Sequence, residues 1–282
     1  MVDTPIGKSM KAFSALFVYS FILSFLRTSN TLDTITPSQF IRDGETLVSA
    51  SRFFELGFFS PGSSKSRYVG IWFVVSSDTV VWVANRETPL ENHHGVLKVN
   101  NKGILVLLAS ANTTIWQSNT SRTAGNKINN PTAQLLDSRN LLVKAGNIES
   151  LLWQSFDYPR DTFLPEMKIG WDLVTGLDRY ITSWKSAEDP APSEISARLG
   201  RRGLPQLVVM KGDKIKVRPG SWNGLSFTGI PWLMPQLSPN PMLTQEFVMN
   251  EREIYYEWKV PNNSIFLRYV LNVNIMIKFT IF

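Results

Sequence analysis

TIWQS, residues 114–118, returns as LLWQS at residues 151–155, so Trp116 and Trp153 lie 37 positions apart. A third copy, VVWVAN at 80–85, puts Trp82 34 positions ahead of Trp116. Upstream of the Trp runs, NKGILV (101–106) matches DSRNLL (137–142) at a spacing of 36. Each unit of roughly 35 residues carries a turn, two or three strands and one Trp. A sheet that small cannot bury an apolar face alone, but three arranged as a prism bury one another. The repeat therefore predicts a closed, pseudo-threefold β-structure with the Trp residues near its axis, as core rather than as sugar platforms.

Outward from these units the same texture continues. Phe53–Phe59, Tyr68–Val75, Val80–Val83, Ile104–Leu108, Thr114–Gln117 and Leu141–Val143 are short β-rich runs separated by Gly, Asn, Ser and Pro. No candidate helix exceeds about two turns, and the fold class is all-β. With 282 residues the chain has room for two domains.

The N-terminus reads as an address. Lys8 and Lys11 precede the apolar run Ala12–Leu26, which is followed by Arg27-Thr28-Ser29-Asn30. That order is the pattern of a secretory signal peptide, here residues 1–29; a retained anchor is the competing reading, but the run is short for a span. Three Asn-x-Ser/Thr sites, at Asn112, Asn119 and Asn262, are N-glycosylation candidates, and once glycosylated they must face solvent. The net charge of +6 is scattered apart from Arg198/Arg201/Arg202 and Lys211/Lys214/Lys216/Arg218. These read as solvated strand faces, and no nucleic-acid partner is expected. With no cysteine, disulfides, thiol nucleophiles and thiolate metal sites are excluded.

Longer segments carry a resemblance: FELGFFSPGSSKSRYVGIWF (54–73), VVWVANRETPL (80–90), AQLLDSRNLLV (133–143) and LWQSFDYPRDTFLPEMKIGWDLVTGLDRYITSWKSAEDPAP (152–192). So do GLPQLVVMKG (203–212), SWNGLSFTG (221–229) and EFVMNEREIYYEW (246–258). Over about residues 33–271 the chain strongly resembles the extracellular region of plant G-type lectin S-receptor-like serine/threonine kinases and the S-locus glycoproteins. The resemblance implies a bulb-type (monocot mannose-binding) lectin β-prism at 30–156. A second, diverged lectin-like β domain of S-locus glycoprotein type is implied at 157–270. Residues 271–282 do not resemble the family and are expected to form a frayed strand. Family members continue into a Cys-rich EGF-like module, a PAN/apple domain, one membrane helix and a kinase, all expected to be missing here. The implied role is extracellular recognition of a protein, peptide or glycan, in pollen recognition or defence, with dimers of related ectodomains in view. A soluble secreted lectin or decoy, and a non-functional short product, are the other readings; no membrane span is expected in the mature chain.

Bulb-type lectins hold mannose on a Gln-x-Asp-x-Asn-x-Val-x-Tyr strand. Setting Asn140 on the motif Asn places Leu136, Ser138, Leu142 and Lys144 at the other positions, so only Asn140 and the apolar Leu142 survive. The preceding unit gives Asn100, Lys102, Ile104, Val106 and Leu108, keeping only Val106. A strand short of polar partners cannot repay a sugar's lost hydration, so ordinary mannose binding is not expected. Arg139 stands where relatives commonly have Gly in a left-handed turn, at an expected cost of about 1 kcal/mol.

Enzyme chemistry finds no constellation. His93 and His94 are adjacent and lack a third metal ligand at useful spacing. Asp157 and Asp161 resemble a glycosidase pair only in spacing and are expected to cap loops. Neither a phosphate loop nor His-Arg-Asp or Asp-Phe-Gly is present, so no kinase activity and no cofactor are expected.

Overall fold

The computed structural model describes residues 32–118, 128–146, 150–200, 203–229, 243–261, 266–275 and 277–281. The segment expected to be a signal peptide lies outside them, as do Asn119 and Asn262. Among the described residues helix is limited to single 3-10 turns at Ser110–Asn112 and Ser155–Asp157.

Three short strands open the fold: β1 (Thr34–Ile35), β2 (Ile41–Arg42) and β3 (Thr46–Val48). Next come β4 (Phe54–Phe59), β5 (Tyr68–Phe73) and β6 (Ser76–Val83). Two further meanders are β7 (Val96–Val99), β8 (Leu105–Leu108), β9 (Thr114–Gln117) and β10 (Thr132–Leu135), β11 (Leu141–Ala145), β12 (Ser150–Gln154). They pair into three four-stranded sheets, β3-β4-β5-β6, β2-β7-β8-β9 and β1-β10-β11-β12. Each sheet is thus a consecutive three-stranded meander closed by one short N-terminal strand.

The repeat seen in the sequence is a repeat of contacts. The fourth strand of each sheet carries one Trp, and the rings of Trp82, Trp116 and Trp153 meet edge-to-face with centroids 5.9 to 6.1 Å apart. Just after each Trp a side chain accepts the first inward amide of the third strand. Asn85 Oδ1 accepts from Val69 N at 2.8 Å, Ser118 Oγ from Leu105 N at 3.0 Å and Ser155 Oγ from Leu141 N at 2.9 Å. Those amides start their strands inside the core, where an unpaired donor costs about 1–3 kcal/mol. Gly103 and Arg139 hold equivalent left-handed turns, with φ of 66° and 73°. At Gly103 an added Cβ would lie 2.4 Å from Leu152 Cδ1, so the glycine is also a packing requirement.

The remaining strands build a second group of sheets. They are β13 (Thr162–Phe163), β14 (Ile169–Asp172), β15 (Asp178–Arg179), β16 (Ile181–Ser186), β17 (Asp189–Leu199), β18 (Leu207–Lys211) and β19 (Lys214–Val217). They continue with β20 (Thr244–Met249), β21 (Glu253–Lys259), β22 (Leu267–Leu271) and β23 (Ile277–Ile281). The sheets are β16-β17-β18-β19, β15-β14-β21-β20 and β13-β22-β23. Part of the tail expected to fray pairs in register as β23, with Val270 opposite Lys278 and Tyr269 opposite Phe279. An aromatic core fills this group: Trp258 packs on Tyr269 at 4.9 Å and Phe227 on Tyr256 at 5.0 Å. Together the two groups form an all-β chain with a lectin β-prism and a second β domain, as the sequence led us to expect.

Arginines join the two groups. Among the described residues edge strand β6 has no fifth strand beside it, and exposed edge carbonyls invite unwanted pairing. Here Arg268 Nη1 donates to Val80 O at 3.1 Å, and Arg160 donates to Val83 O at 2.6 Å and Ala84 O at 3.2 Å. Arg86 Nη1 donates the other way, to Thr182 O, at 3.4 Å. Burial pulls the Arg160 guanidinium down to about 9, with the neighbouring Arg86 charge adding to the shift. Beside them burial pushes the Asp161 carboxyl up to about 6, against the hydrogen bond from Thr162 and the charges of Arg268 and Arg86. A carboxyl raised in the fold favours the folded state below its unfolded value near 3.8 and loses that contribution as pH rises through about 6. Urea unfolding of the wild type should therefore show a stability decrement between pH 4 and pH 6 that is absent from Asp161→Asn.

Candidate functional site

The outward faces of the three first sheets are not equivalent. On β3-β4-β5-β6 the outward residues Phe59, Tyr68, Trp72, Val80 and Val83 cluster and are packed by Trp184 of β16. That face is closed by the second group of sheets. On the other two sheets the register places one aliphatic residue between polar neighbours. Lys98, Val106 and Gln117 lie abreast on β7, β8 and β9. Gln134, Leu142 and Gln154 lie abreast on β10, β11 and β12. An aliphatic floor flanked by amides is the kind of surface on which a sugar ring can be held.

Around Leu142 the polar groups are bonded to one another. Asn140 is buried; its Nδ2 donates to Gln154 Oε1 at 2.9 Å, and its Oδ1 accepts from Ser155 Oγ at 3.1 Å and Phe156 N at 3.2 Å. Gln134 Nε2 donates to Asp33 Oδ2 at 2.9 Å, and its Oε1 accepts from Lys144 Nζ at 3.5 Å. In the middle unit Asn100 Oδ1 accepts from Lys102 N at 2.9 Å and Ile104 N at 3.0 Å, which is turn chemistry. The sequence pointed to Asn140 and Leu142, and the structure brings them together on one strand. It did not point to Gln134 and Gln154 on the neighbouring strands, or to Asp33, which is 101 residues from its partner Gln134. Only the pairing register could have revealed them.

The other singled-out residues have structural partners. Asn112 is exposed at φ 60° in the first 3-10 turn, open to a glycan. His93 Nδ1 sits 2.7 Å from Asp43 Oδ2, and Asp43 also binds Arg67. Burial alone would raise the Asp43 carboxyl, but the hydrogen bonds and charge of Arg67, with His93, hold it below its ordinary value. Asp157 is buried against Arg179 at 2.7 Å, and Arg179 also lies 3.8 Å from Asp172. Asp157 and Asp161 are therefore committed to different neighbours. Among the described residues no group of three or more potential metal ligands is found, and no helix is long and apolar enough to cross a membrane.

Comparison with known proteins shows what the chain is similar to. A family model described as D-mannose binding lectin matches residues 79–185. An S-locus-specific glycoprotein of Brassica oleracea var. alboglabra, BS29-2, is 39% identical over 275 residues, which is 96% of this chain and 61% of the relative. The G-type lectin S-receptor-like serine/threonine-protein kinase RKS1 of Arabidopsis thaliana is 40% identical over 91% of this chain but only 30% of its own length. The chain thus spans under two thirds of the glycoprotein and only the ectodomain portion of the kinase. Among solved structures, the mannose-specific agglutinin of snowdrop (Galanthus nivalis) has a TM-score of 0.32 at 19% identity, covering 42% of this chain and 94% of its own. A two-domain lectin from Scilla campanulata has a TM-score of 0.30 at 14% identity, covering 85% of this chain and 93% of its own. Over most of its length the chain is similar to S-locus glycoproteins and G-type lectin S-receptor-like kinases, and within that length it carries a segment matching the D-mannose binding lectin family.

Proposed function

We propose that this chain is a non-catalytic extracellular recognition module whose partner is a protein, peptide or non-mannose glycan met in cell–cell recognition, such as pollen recognition or defence. Residues 30–156 and 157–270 act as its two β domains, and pairing with a related ectodomain belongs to the same reading. The reading takes "lectin" as a statement of fold. The observation that carries it is the state of Asn140, whose amide is spent on Gln154, Ser155 and the Phe156 amide. A mannose hydroxyl would have to displace these bonds, and the neighbouring Ser138 and Lys144 offer neither the carboxylate nor the phenol that the lectin motif supplies. Leu142 alone supplies apolar contact, which holds a hydrated sugar poorly.

Two measurements test this. The secreted chain, labelled and applied to glycan and extracellular-protein arrays, should leave mannose spots silent and bind a protein or a different glycan saturably. Dominant mannose binding would overturn the reading. Asn140→Ala should lower unfolding stability by about 1–3 kcal/mol in urea, because the buried Phe156 N–H loses its acceptor. A residue reserved for ligand would change stability by less than about 0.5 kcal/mol.

A further inference from the structure

A second recess lies where the two groups of sheets meet, away from the β11 face. Ser51, Phe53, Asp137, Ser138 and Arg139 line it from the first group; Pro165, Glu166, Val260 and Phe266 line it from the second. Its volume is about 230 Å3, roughly the space of eight waters, which suits one ring and not a chain.

Its chemistry is unusual in one respect. Arg139 is 7% exposed, and its Nε has no hydrogen-bond partner among the described residues. Its guanidinium rests 5.1 Å over the Phe54 ring and 5.4 Å over the Phe266 ring, where the aromatic faces attract a cation. Burial pulls it down to about 10, and only the Glu166 charge works against that shift. A buried cation so thinly paired favours an anion that can reach it. The rim asks for something else. Asp137 accepts from Ser51 N at 2.9 Å and Ser51 Oγ at 2.8 Å; these bonds and one from Ser49 outweigh its burial and keep it ionised. Asp137 and Glu166 are exposed carboxylates whose remaining lone pairs face the rim. Phe53, 42% exposed, packs edge-on to Phe266 at 4.9 Å and offers a flat apolar wall.

We propose that this recess binds a uronic acid, a sugar ring that carries one carboxylate. The carboxylate pairs with Arg139, ring hydroxyls donate to Asp137 and Glu166, and the apolar face of the ring lies on Phe53. A neutral hexose brings no carboxylate to the unpaired Arg139 Nε. An acidic amino-acid side chain brings the carboxylate but nothing for the rim. The site also gives the left-handed strain at Arg139 a use that a glycine there would not have.

The site goes beyond the recognition reading above and draws no contact from β11. Its test is a titration of the full secreted chain with D-galacturonic acid and, in parallel, D-galactose, followed by amide NMR. Galacturonate should shift residues 51–53, 137–139 and 165–166 saturably and leave Leu142 and Lys144 unmoved; galactose should bind at least about tenfold more weakly. Arg139→Gln should weaken galacturonate by about tenfold or more, as expected for loss of a charge-assisted bond. Phe53→Ala, at an exposed position that leaves the fold intact, should weaken it several-fold. No saturable shift, equal binding of galactose, or full affinity in Phe53→Ala would each overturn the proposal. Shifts centred on Leu142 would also overturn it, and would count separately against the reading of Asn140.

Discussion

Three indole rings, from Trp82, Trp116 and Trp153, touch edge-to-face at the centre of the first sheet group, and the rest of that group is arranged to keep them there. Aromatic pairs in this geometry contribute about 0.5–1.5 kcal/mol beyond their area, and each ring buries on the order of 150–250 Å². One sheet presents only one indole. Three sheets must therefore converge, and each must deliver its Trp at the same height. The Asn85, Ser118 and Ser155 side chains set that height by capping the third strand of each sheet. The centre also reaches outward: Trp82 Nε1 donates to Tyr158 O at 3.0 Å, and Tyr158 stacks on Trp153 at 5.8 Å. The chain leaving the prism is thereby tied to its axis before the second group of sheets begins.

With the inward faces committed, function falls to the outward faces and to the seam. One outward face is covered by Trp184, and the two others carry an aliphatic residue between polar neighbours, Lys98 and Gln117 on one and Gln134 and Gln154 on the other. On the β11 face Gln134, Gln154 and Asn140 are bonded within the protein. The seam inherits what the faces lost. It holds Arg160 and Arg268, bonded to carbonyls at the edge of β6, Arg86, bonded to Thr182 O, and the recess around Arg139.

Much of the fold was legible because its signal is local. The Trp repeat, the turn residues and the β-branched runs mark β4, β5, β8, β9 and β11 within a residue or two of where they lie. β1 and β2 were not legible. Two residues each, they hold position only through partners far away, as Thr34 does opposite Gln134. The candidate site was half legible. Asn140 and Leu142 stand on one strand and follow from motif spacing, whereas Asp33 and Gln154 belong to the site through register. The arginine seam has no sequence pattern at all, since a guanidinium that caps a distant edge carbonyl looks like any solvated charge. At Arg139 the expected left-handed turn is present at φ 73°, but the burial of its side chain against two phenylalanines follows only from the second group of sheets.

The most direct test of the central contact is ¹⁹F NMR of the chain labelled with 5-fluorotryptophan, with Trp82, Trp116 and Trp153 replaced one at a time by Phe. If the three rings form one core, each replacement should remove one resonance and shift the other two, leaving the Trp222 and Trp258 signals in place. Replacements that leave the remaining two resonances unmoved would contradict a shared core, and with it the threefold construction of the prism.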